Sequence, residues 1–161
     1  FGYIDMRRIG IVGSSLGGYI VLAALAFCPD EFKVGVDICG VSDWLSMLES
    51  LPPYWAGISG NVLYEKLGNP TTKQDRLKAI SPIFSVREIT KPLLVIQGAN
   101  DPRVKRLQSD AIVEAIRSEK GIVEYLLLDD EAHVIRKQSN AVLVYETILK
   151  FLNRHLRRDV D

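Results

Sequence analysis

A chain of 161 residues that is 47% hydrophobic and 25% charged has enough apolar material for one packed domain and lacks the bias of a disordered or fibrous one. Its 20 basic and 20 acidic residues cancel, which leaves no overall field to recruit nucleic acid or an anionic membrane. Two cysteines, Cys28 and Cys39, cannot build a disulfide framework; they suit a reducing compartment with both thiols free, so a cytoplasmic location is expected.

Residues 3–8 form a polar lead-in to a short β-branched run at 9–12 that reads as a strand. The turn Gly13-Ser14-Ser15-Leu16-Gly17 follows, then an unbroken small and apolar segment that reads as a buried helix from about residue 15 to 28, where Pro29 and Asp30 stop it. The longest apolar segment, Tyr19 to Cys28, is about ten residues and too short to span a bilayer. Strand, Gly-x-Ser-x-Gly turn and helix are the context of a nucleophile elbow, with Ser15 at its tip. The other reading is a glycine-rich turn with an incidental serine. On the elbow reading, Gly13 and Gly17 are expected to remove side chains that would strike the neighbouring strand and helix. The backbone N–H of Leu16, in the first turn of the helix, is the expected oxyanion donor.

A second buried strand is expected at 32–39, carrying Val34, Val36 and Ile38. Strand, helix, strand over this length calls for a right-handed crossover and a parallel sheet. An excursion at about 41–90 then breaks the rhythm. It holds Trp44, Tyr54, Trp55 and Tyr64, the pair Pro52-Pro53, and short helical patches near 43–49, 61–66 and 75–79. Excursions of this length often shape binding sites. Tyr54 and Trp55 are therefore candidate walls of a substrate pocket, or else anchors of the excursion onto the sheet.

The continuously apolar run 91–98 reads as a third strand, covered on both faces. After the turn Ala99-Asn100-Asp101-Pro102-Arg103-Val104 comes a helix expected to bury Leu107, Ala111, Ile112, Ala115 and Ile116. A fourth strand at 122–128 leads to Asp129-Asp130-Glu131-Ala132-His133, and a last helix at 139–156 is expected to bury Val142, Tyr145, Leu149 and Leu152. The three acidic residues before His133 read as a solvated turn.

In a doubly wound sheet, ligands meet the loops at the carboxyl ends of the strands. Three such loops carry Ser15, Asp101 and His133, the chain order of an α/β-hydrolase triad. A serine hydroxyl is too weakly acidic to attack unaided, so His133 would take its proton, and Asp101 would hold the imidazole in one tautomer. The only other histidine, His155, lies between Arg154 and Arg157 on a polar turn and is the poorer base. Asp43, Asp129 and Asp130 are rival acids; Asp101 is preferred because it follows the third strand. Arg103 is a candidate for binding a substrate carbonyl or carboxylate, or for structural pairing.

The segments Gly13-Ser14-Ser15-Leu16-Gly17-Gly18-Tyr19, Pro52-Pro53-Tyr54-Trp55, Val95-Ile96-Gln97-Gly98-Ala99-Asn100-Asp101-Pro102-Arg103-Val104 and Asp130-Glu131-Ala132-His133 occur in order with family-like spacing. Through them the chain resembles the catalytic domain of the prolyl oligopeptidase family of serine peptidases, especially its acylaminoacyl-peptidase-like and dipeptidyl-peptidase-like branch. The resemblance implies a three-layer α/β-hydrolase fold with a mostly parallel sheet, residues 1–161 being the C-terminal portion of one catalytic domain. It implies a serine-type peptidase acting on short peptides through an acyl-enzyme on Ser15, with Asp101 and His133 completing the triad and no metal or organic cofactor. Family members add earlier strands and a second oxyanion donor from an upstream loop. The strand at 9–12 is thus expected to lack a partner on one side, and the chain to pair there with a missing N-terminal segment or within a homo-oligomer. Leu16, Lys105, Ala132 and Val134 depart from the family's usual residues. The departures around His133, with the missing sheet half, keep open a catalytically impaired fragment serving binding or assembly, and the triad alone also allows an esterase or acyl hydrolase.

Overall fold

A computed structural model of the chain describes residues 5–51, 55 and 57–157. Four strands, β1 (Gly10–Ser14), β2 (Val34–Ile38), β3 (Leu93–Gly98) and β4 (Val123–Leu128), lie side by side in chain order. All three pairings are parallel, with Val12 opposite Val36, Val36 opposite Leu94 and Leu94 opposite Glu124. Parallel neighbours demand a crossover between each pair. These are supplied by α1 (Leu16–Phe27), by the excursion, and by α5 (Leu107–Ser118), while α6 (Gln138–Leu156) follows the last strand.

The alternation of side chains along the strands sorts the core into two layers. Leu93 and Val95 point to the face covered by α1 and α5, where they meet Val21, Leu22, Leu25, Ile112 and Ile116. Leu94 and Ile96 point the other way, with Val34, Val36 and Leu128, onto Val144 and Phe151 of α6. Because both faces are covered, β3 is buried along its whole length. The result is the three-layer α/β-hydrolase arrangement.

Among the described residues the excursion holds α2 (Trp44–Glu49), α3 (Ile58–Leu67) and α4 (Gln74–Ala79), then a 3-10 segment Pro82–Glu88. Its Val41, Trp44, Met47, Leu48 and Leu77 form a small core together with Val104 of the Asp101 loop. Polar ties fasten the excursion to the main body, Ser42 Oγ donating to Gln108 O at 2.7 Å and Tyr19 Oη to Ile80 O at 3.1 Å, while Trp44 N donates to Ser81 Oγ at 2.8 Å within the excursion. The Tyr19 ring also meets Trp44 edge-on, with centroids 5.1 Å apart.

Two helices differ from expectation in the face they bury. In α5, Ile112 and Ile116 are buried as expected, but Leu107 is 67% exposed and Val113 takes its place in the core. In α6 the expected face is largely bare: Val142, Tyr145 and Leu149 are 52%, 73% and 61% exposed, and the sheet is met instead by Val144 and Phe151. The helix carries apolar residues around much of its circumference, so periodicity alone does not choose the side. The outer edge of β1 has no strand partner among the described residues. No helix among them is long and apolar enough to cross a membrane.

Among the described residues, Asp37 is the one buried charged side chain within a strand. It is fully buried, and its Oδ1 accepts from Gly40 N at 2.8 Å. Its Oδ2 has no hydrogen-bond partner among the described residues. Burial pushes its carboxyl up from 3.8 to about 7, against the opposing pull of the Gly40 N–H. The folded chain therefore keeps a proton that the unfolded chain releases near 3.8, and stability falls as pH rises from there to about 7. Asp37→Asn should remove that dependence. Relative to wild type it should be more stable by a few kcal/mol at about pH 8 and nearly equal at about pH 4, read from urea midpoints. A gain of equal size at both pH values would contradict the buried-proton account.

Candidate active site

The site begins where β1 runs into α1. Ser15, between them, has φ 58° and ψ −117°, a conformation that L side chains rarely adopt. It is held there by its own N–H, which donates to Ile38 O at 2.8 Å, and by its carbonyl, which accepts from Tyr19 N at 3.1 Å. The turn is tight: a Cβ on Gly13 would lie 2.2 Å from Gly17 O. Gly17, by contrast, has nothing within 4 Å of where its Cβ would sit, so the expectation that it too avoids a collision is corrected. The second indispensable glycine is Gly18, whose Cβ would fall 2.2 Å from Asp37 Oδ1 and 2.8 Å from Gly40 Cα. It lets α1 settle against the end of β2.

The structure brings Ser15, His133 and Asp101 together from three loops. His133 Nε2 lies 2.9 Å from Ser15 Oγ, and His133 Nδ1 lies 2.6 Å from Asp101 Oδ2. The Asp101 side chain is fully buried and that of His133 is 11% exposed. Asp101 Oδ1 accepts from the backbone N–H groups of Arg103 at 2.8 Å and Val104 at 3.0 Å. With one oxygen occupied by the backbone, the other is left to the imidazole.

The acid loop and the histidine loop are stitched to each other. A Cβ on Gly98 would sit 2.1 Å from Ala132 O, and Asn100 N donates to Glu131 O at 2.9 Å. Glu131 corrects the reading of a solvated acidic turn. It is 4% exposed, and its carboxylate accepts from Arg136 N at 3.0 Å, Lys137 N at 2.9 Å and Asn140 Nδ2 at 2.9 Å. Those bonds, the Arg136 N–H foremost, hold its carboxyl below the usual range. Glu131 thus folds the segment after His133 back on itself. A carboxylate followed within six residues by unpaired helix-entry N–H groups is the signal that could have revealed it.

Asp43, a rival acid, instead caps α2 by accepting from Leu45 N at 2.9 Å. His155 packs edge-on against Phe151 at 4.7 Å, and burial and the Arg154 charge keep its imidazole below its ordinary value. Neither takes part in the contacts around Ser15.

Among the described residues, one group of side chains could approach a metal: Cys39, Asp101 and His133, whose donor atoms lie within 4.8 Å of one another. Cys39 is 1% exposed at φ 53°, and burial, reinforced by the charges of Asp101 and Asp37, pushes its thiol up to about 12. A thiol that keeps its proton is a poor ligand, and the Asp101 oxygens are already committed, so the group reads as a closed hydrogen-bond cluster.

Two cavities flank Ser15. One, of about 360 Å³, is lined by Ser15, Leu16, Trp44, Met47, Trp55 and Val104 and is almost wholly apolar. The other, of about 480 Å³, is lined by Ser14, Ile38, Arg103, His133 and Tyr145. Trp55 therefore forms part of a pocket wall and Arg103 stands beside the histidine, while Tyr54 lies outside the described residues. The Leu16 N–H is in the first turn of α1, where backbone donors lack intrahelical partners.

Residues 1–159 match the model of the prolyl oligopeptidase family. Among similar proteins, dipeptidyl peptidase family member 6 of Caenorhabditis elegans is 38% identical over 157 residues, covering 96% of this chain and 21% of the relative. Dipeptidyl aminopeptidase BIII of Pseudoxanthomonas mexicana is 41% identical over 141 residues, covering 86% of this chain and 20% of the relative. The fold superposes on a puromycin-hydrolysing peptidase of Mycobacterium tuberculosis with a TM-score of 0.89 at 30% identity, covering 96% of this chain and 23% of that one. The chain spans about a fifth of the length of the curated relatives it matches.

The strain at Ser15 has a measurable consequence. Ser15→Gly should be more stable than Ser15→Ala by about 1 kcal/mol, because glycine alone relaxes at this φ and ψ. Chemical denaturation of the two variants checks it, and equal stabilities would mean that the turn is unstrained.

Proposed function

Since the chain belongs to the prolyl oligopeptidase family, we propose that it acts as a serine-type peptidase on short peptides, forming an acyl-enzyme on Ser15. The observation that carries this reading is the continuous contact Ser15 Oγ to His133 Nε2 and His133 Nδ1 to Asp101 Oδ2, at 2.9 and 2.6 Å. His133 takes the hydroxyl proton as Oγ attacks the peptide carbonyl carbon, and delivers it to the departing amine nitrogen. Water, deprotonated by the same imidazole, then releases the acyl group. Asp101 keeps Nδ1 protonated and stabilises the imidazolium without taking a proton itself. The Leu16 N–H faces the oxygen on which charge develops, and one such donor is worth about a hundred- to a thousand-fold in turnover.

Specificity follows from the cavities. The apolar cavity between Leu16, Met47, Trp44 and Trp55 accepts the side chain preceding the scissile bond and favours an apolar one. Arg103 offers a guanidinium beside His133 for a substrate carbonyl or carboxylate.

A second feature supports a partner. The bare residues Val142, Tyr145 and Leu149 of α6 and the open edge of β1 are surfaces that a segment of the same protein, or a second copy of the chain, would cover. Residues 1–161 then form the C-terminal portion of a single α/β-hydrolase catalytic domain, with the excursion at about 41–90 as its site-forming insertion. Two free thiols, Cys28 and Cys39, fit a cytoplasmic setting.

A fluorophosphonate should add once to the full-length protein, at Ser15, and the adduct should vanish in Ser15→Ala and His133→Ala by intact mass; labelling that survives in Ser15→Ala would refute the assignment. Aminoacyl amides should be cleaved as well as aminoacyl esters, whereas turnover confined to simple acyl esters would favour the esterase alternative. Leu16→Trp, which narrows the apolar cavity, should raise KM for substrates with Phe before the scissile bond by about tenfold and leave those with Ala nearly unchanged.

A further inference from the structure

Gln97 stands out in β3. The strand is buried throughout, Leu93 to Ile96 are apolar, and Gln97 follows them into the core with no exposed surface. An amide buried this way is tolerated only if its donors and acceptor are all bonded. They are. Ser109 Oγ lies 2.8 Å from Oε1, and Nε2 lies 3.0 Å from Gly98 O, 3.2 Å from Val104 O and 3.5 Å from Asp101 Oδ2. The three groups on the nitrogen side are carbonyl or carboxylate oxygens, which accept and do not donate. Chemistry therefore fixes the orientation of the amide, and the Ser109 hydroxyl must donate to Oε1.

Gly98 and Val104 are the two ends of the loop that carries Asp101. By donating to both carbonyls, one amide group closes that loop across its base. Val104 also donates its own N–H to Asp101 Oδ1 at 3.0 Å. The residue clamped by Gln97 is thus one of the two that orient the carboxylate. The remaining contact, to Oδ2, reaches the oxygen that receives His133 Nδ1 at 2.6 Å. It is long, so it acts as a partial positive charge near Oδ2 more than as a full hydrogen bond.

We propose that Gln97, oriented by Ser109, is a positioning residue for Asp101: its amide clamps the acid loop and keeps Oδ2 turned toward His133. The proposal rests on the peptidase reading of Ser15, Asp101 and His133, and extends that site inward by two buried polar side chains. A polar residue interrupting an apolar strand four positions before an acid is its mark in the sequence.

The test uses Gln97→Met, Gln97→Glu and Ser109→Ala in the full-length protein, each checked for native circular dichroism. The readouts are the second-order rate of fluorophosphonate labelling of Ser15 across pH, and the low-field proton resonance of the His133 Nδ1–H. Gln97→Met keeps the bulk and removes the donor. It should label about tenfold more slowly, shift the resonance, and raise the pH midpoint of labelling, since a less neutralised Asp101 favours the imidazolium. Gln97→Glu, which sets a second carboxylate beside Asp101, should raise the midpoint further. Ser109→Ala should give a smaller change in the same direction. The other ionisable groups beside the imidazole, Cys39, Arg103, Tyr145, Glu131, Asp130, Arg136 and Lys137, are untouched by these substitutions. A folded Gln97→Met with wild-type rate, midpoint and resonance overturns the proposal. An unreactive Ser15 in the wild type counts against the peptidase reading alone. The resonance then decides the role of Gln97: a shift upholds it, an unmoved line overturns it.

Discussion

Everything at the mouth of this sheet depends on two loops being able to touch. The acid loop leaves β3 and the histidine loop leaves β4, and their backbones meet where Gly98 faces Ala132 O at a separation that admits no side chain. A methyl group at that point would move the histidine loop by an ångström or more relative to Asp101. The 2.6 Å contact between His133 and Asp101 could not then form together with the 2.9 Å contact to Ser15. Proximity of reacting groups is steeply distance-dependent, so this backbone contact matters as much as any side chain in the triad. Glu131 completes the same construction from the other end, gathering the N–H groups of Arg136 and Lys137 so that the loop has one conformation.

The layout was legible in the sequence to the extent that it follows from local patterns. A β-branched run, the turn around Ser15 and an apolar helix define the elbow. Continuous apolar strands define a sheet covered on both faces, and the chain order of Ser15, Asp101 and His133 follows from parallel topology. What was not legible is what depends on close approach between distant segments. Gly17 and Gly18 are equivalent in a motif, yet only Gly18 lies under Asp37 and Gly40. Glu131 is charged and flanked by charge, so composition places it in solvent, whereas three donors draw it inward. In α6 the pattern admits two faces, and contact with Val34, Val36, Leu94 and Ile96 selects the one bearing Val144 and Phe151.

Three buried carboxylates show how environment divides one chemistry into separate roles. Asp101 has two backbone N–H groups on one oxygen and the imidazole on the other, so both oxygens are engaged. Glu131 is likewise surrounded by donors and is held ionised. Asp37 receives a single N–H and is raised to about 7. Burial with a single donor raises Asp37, whereas several hydrogen bonds to the charged form lower Glu131.

Several unfavourable features of the fold sit together at the carboxyl ends of β1 and β2. Ser15 and Cys39, both non-glycine residues with positive φ, follow the ends of neighbouring strands, and Asp37, its Oδ2 unpartnered among the described residues, sits near the end of β2 against Gly18 and Gly40. Each costs about 1–3 kcal/mol, which a well-packed domain tolerates only where surrounding contacts over-determine the backbone. Here they do. Ser15 N and Cys39 N donate to Ile38 O and Ile96 O at 2.8 Å each, so the strained residues are locked to strands whose other faces are fully packed. Relaxing Ser15 would require breaking the β1–β2 register at its carboxyl end. The sheet's rigidity is what holds the Ser15 hydroxyl clear of the turn and aimed at His133.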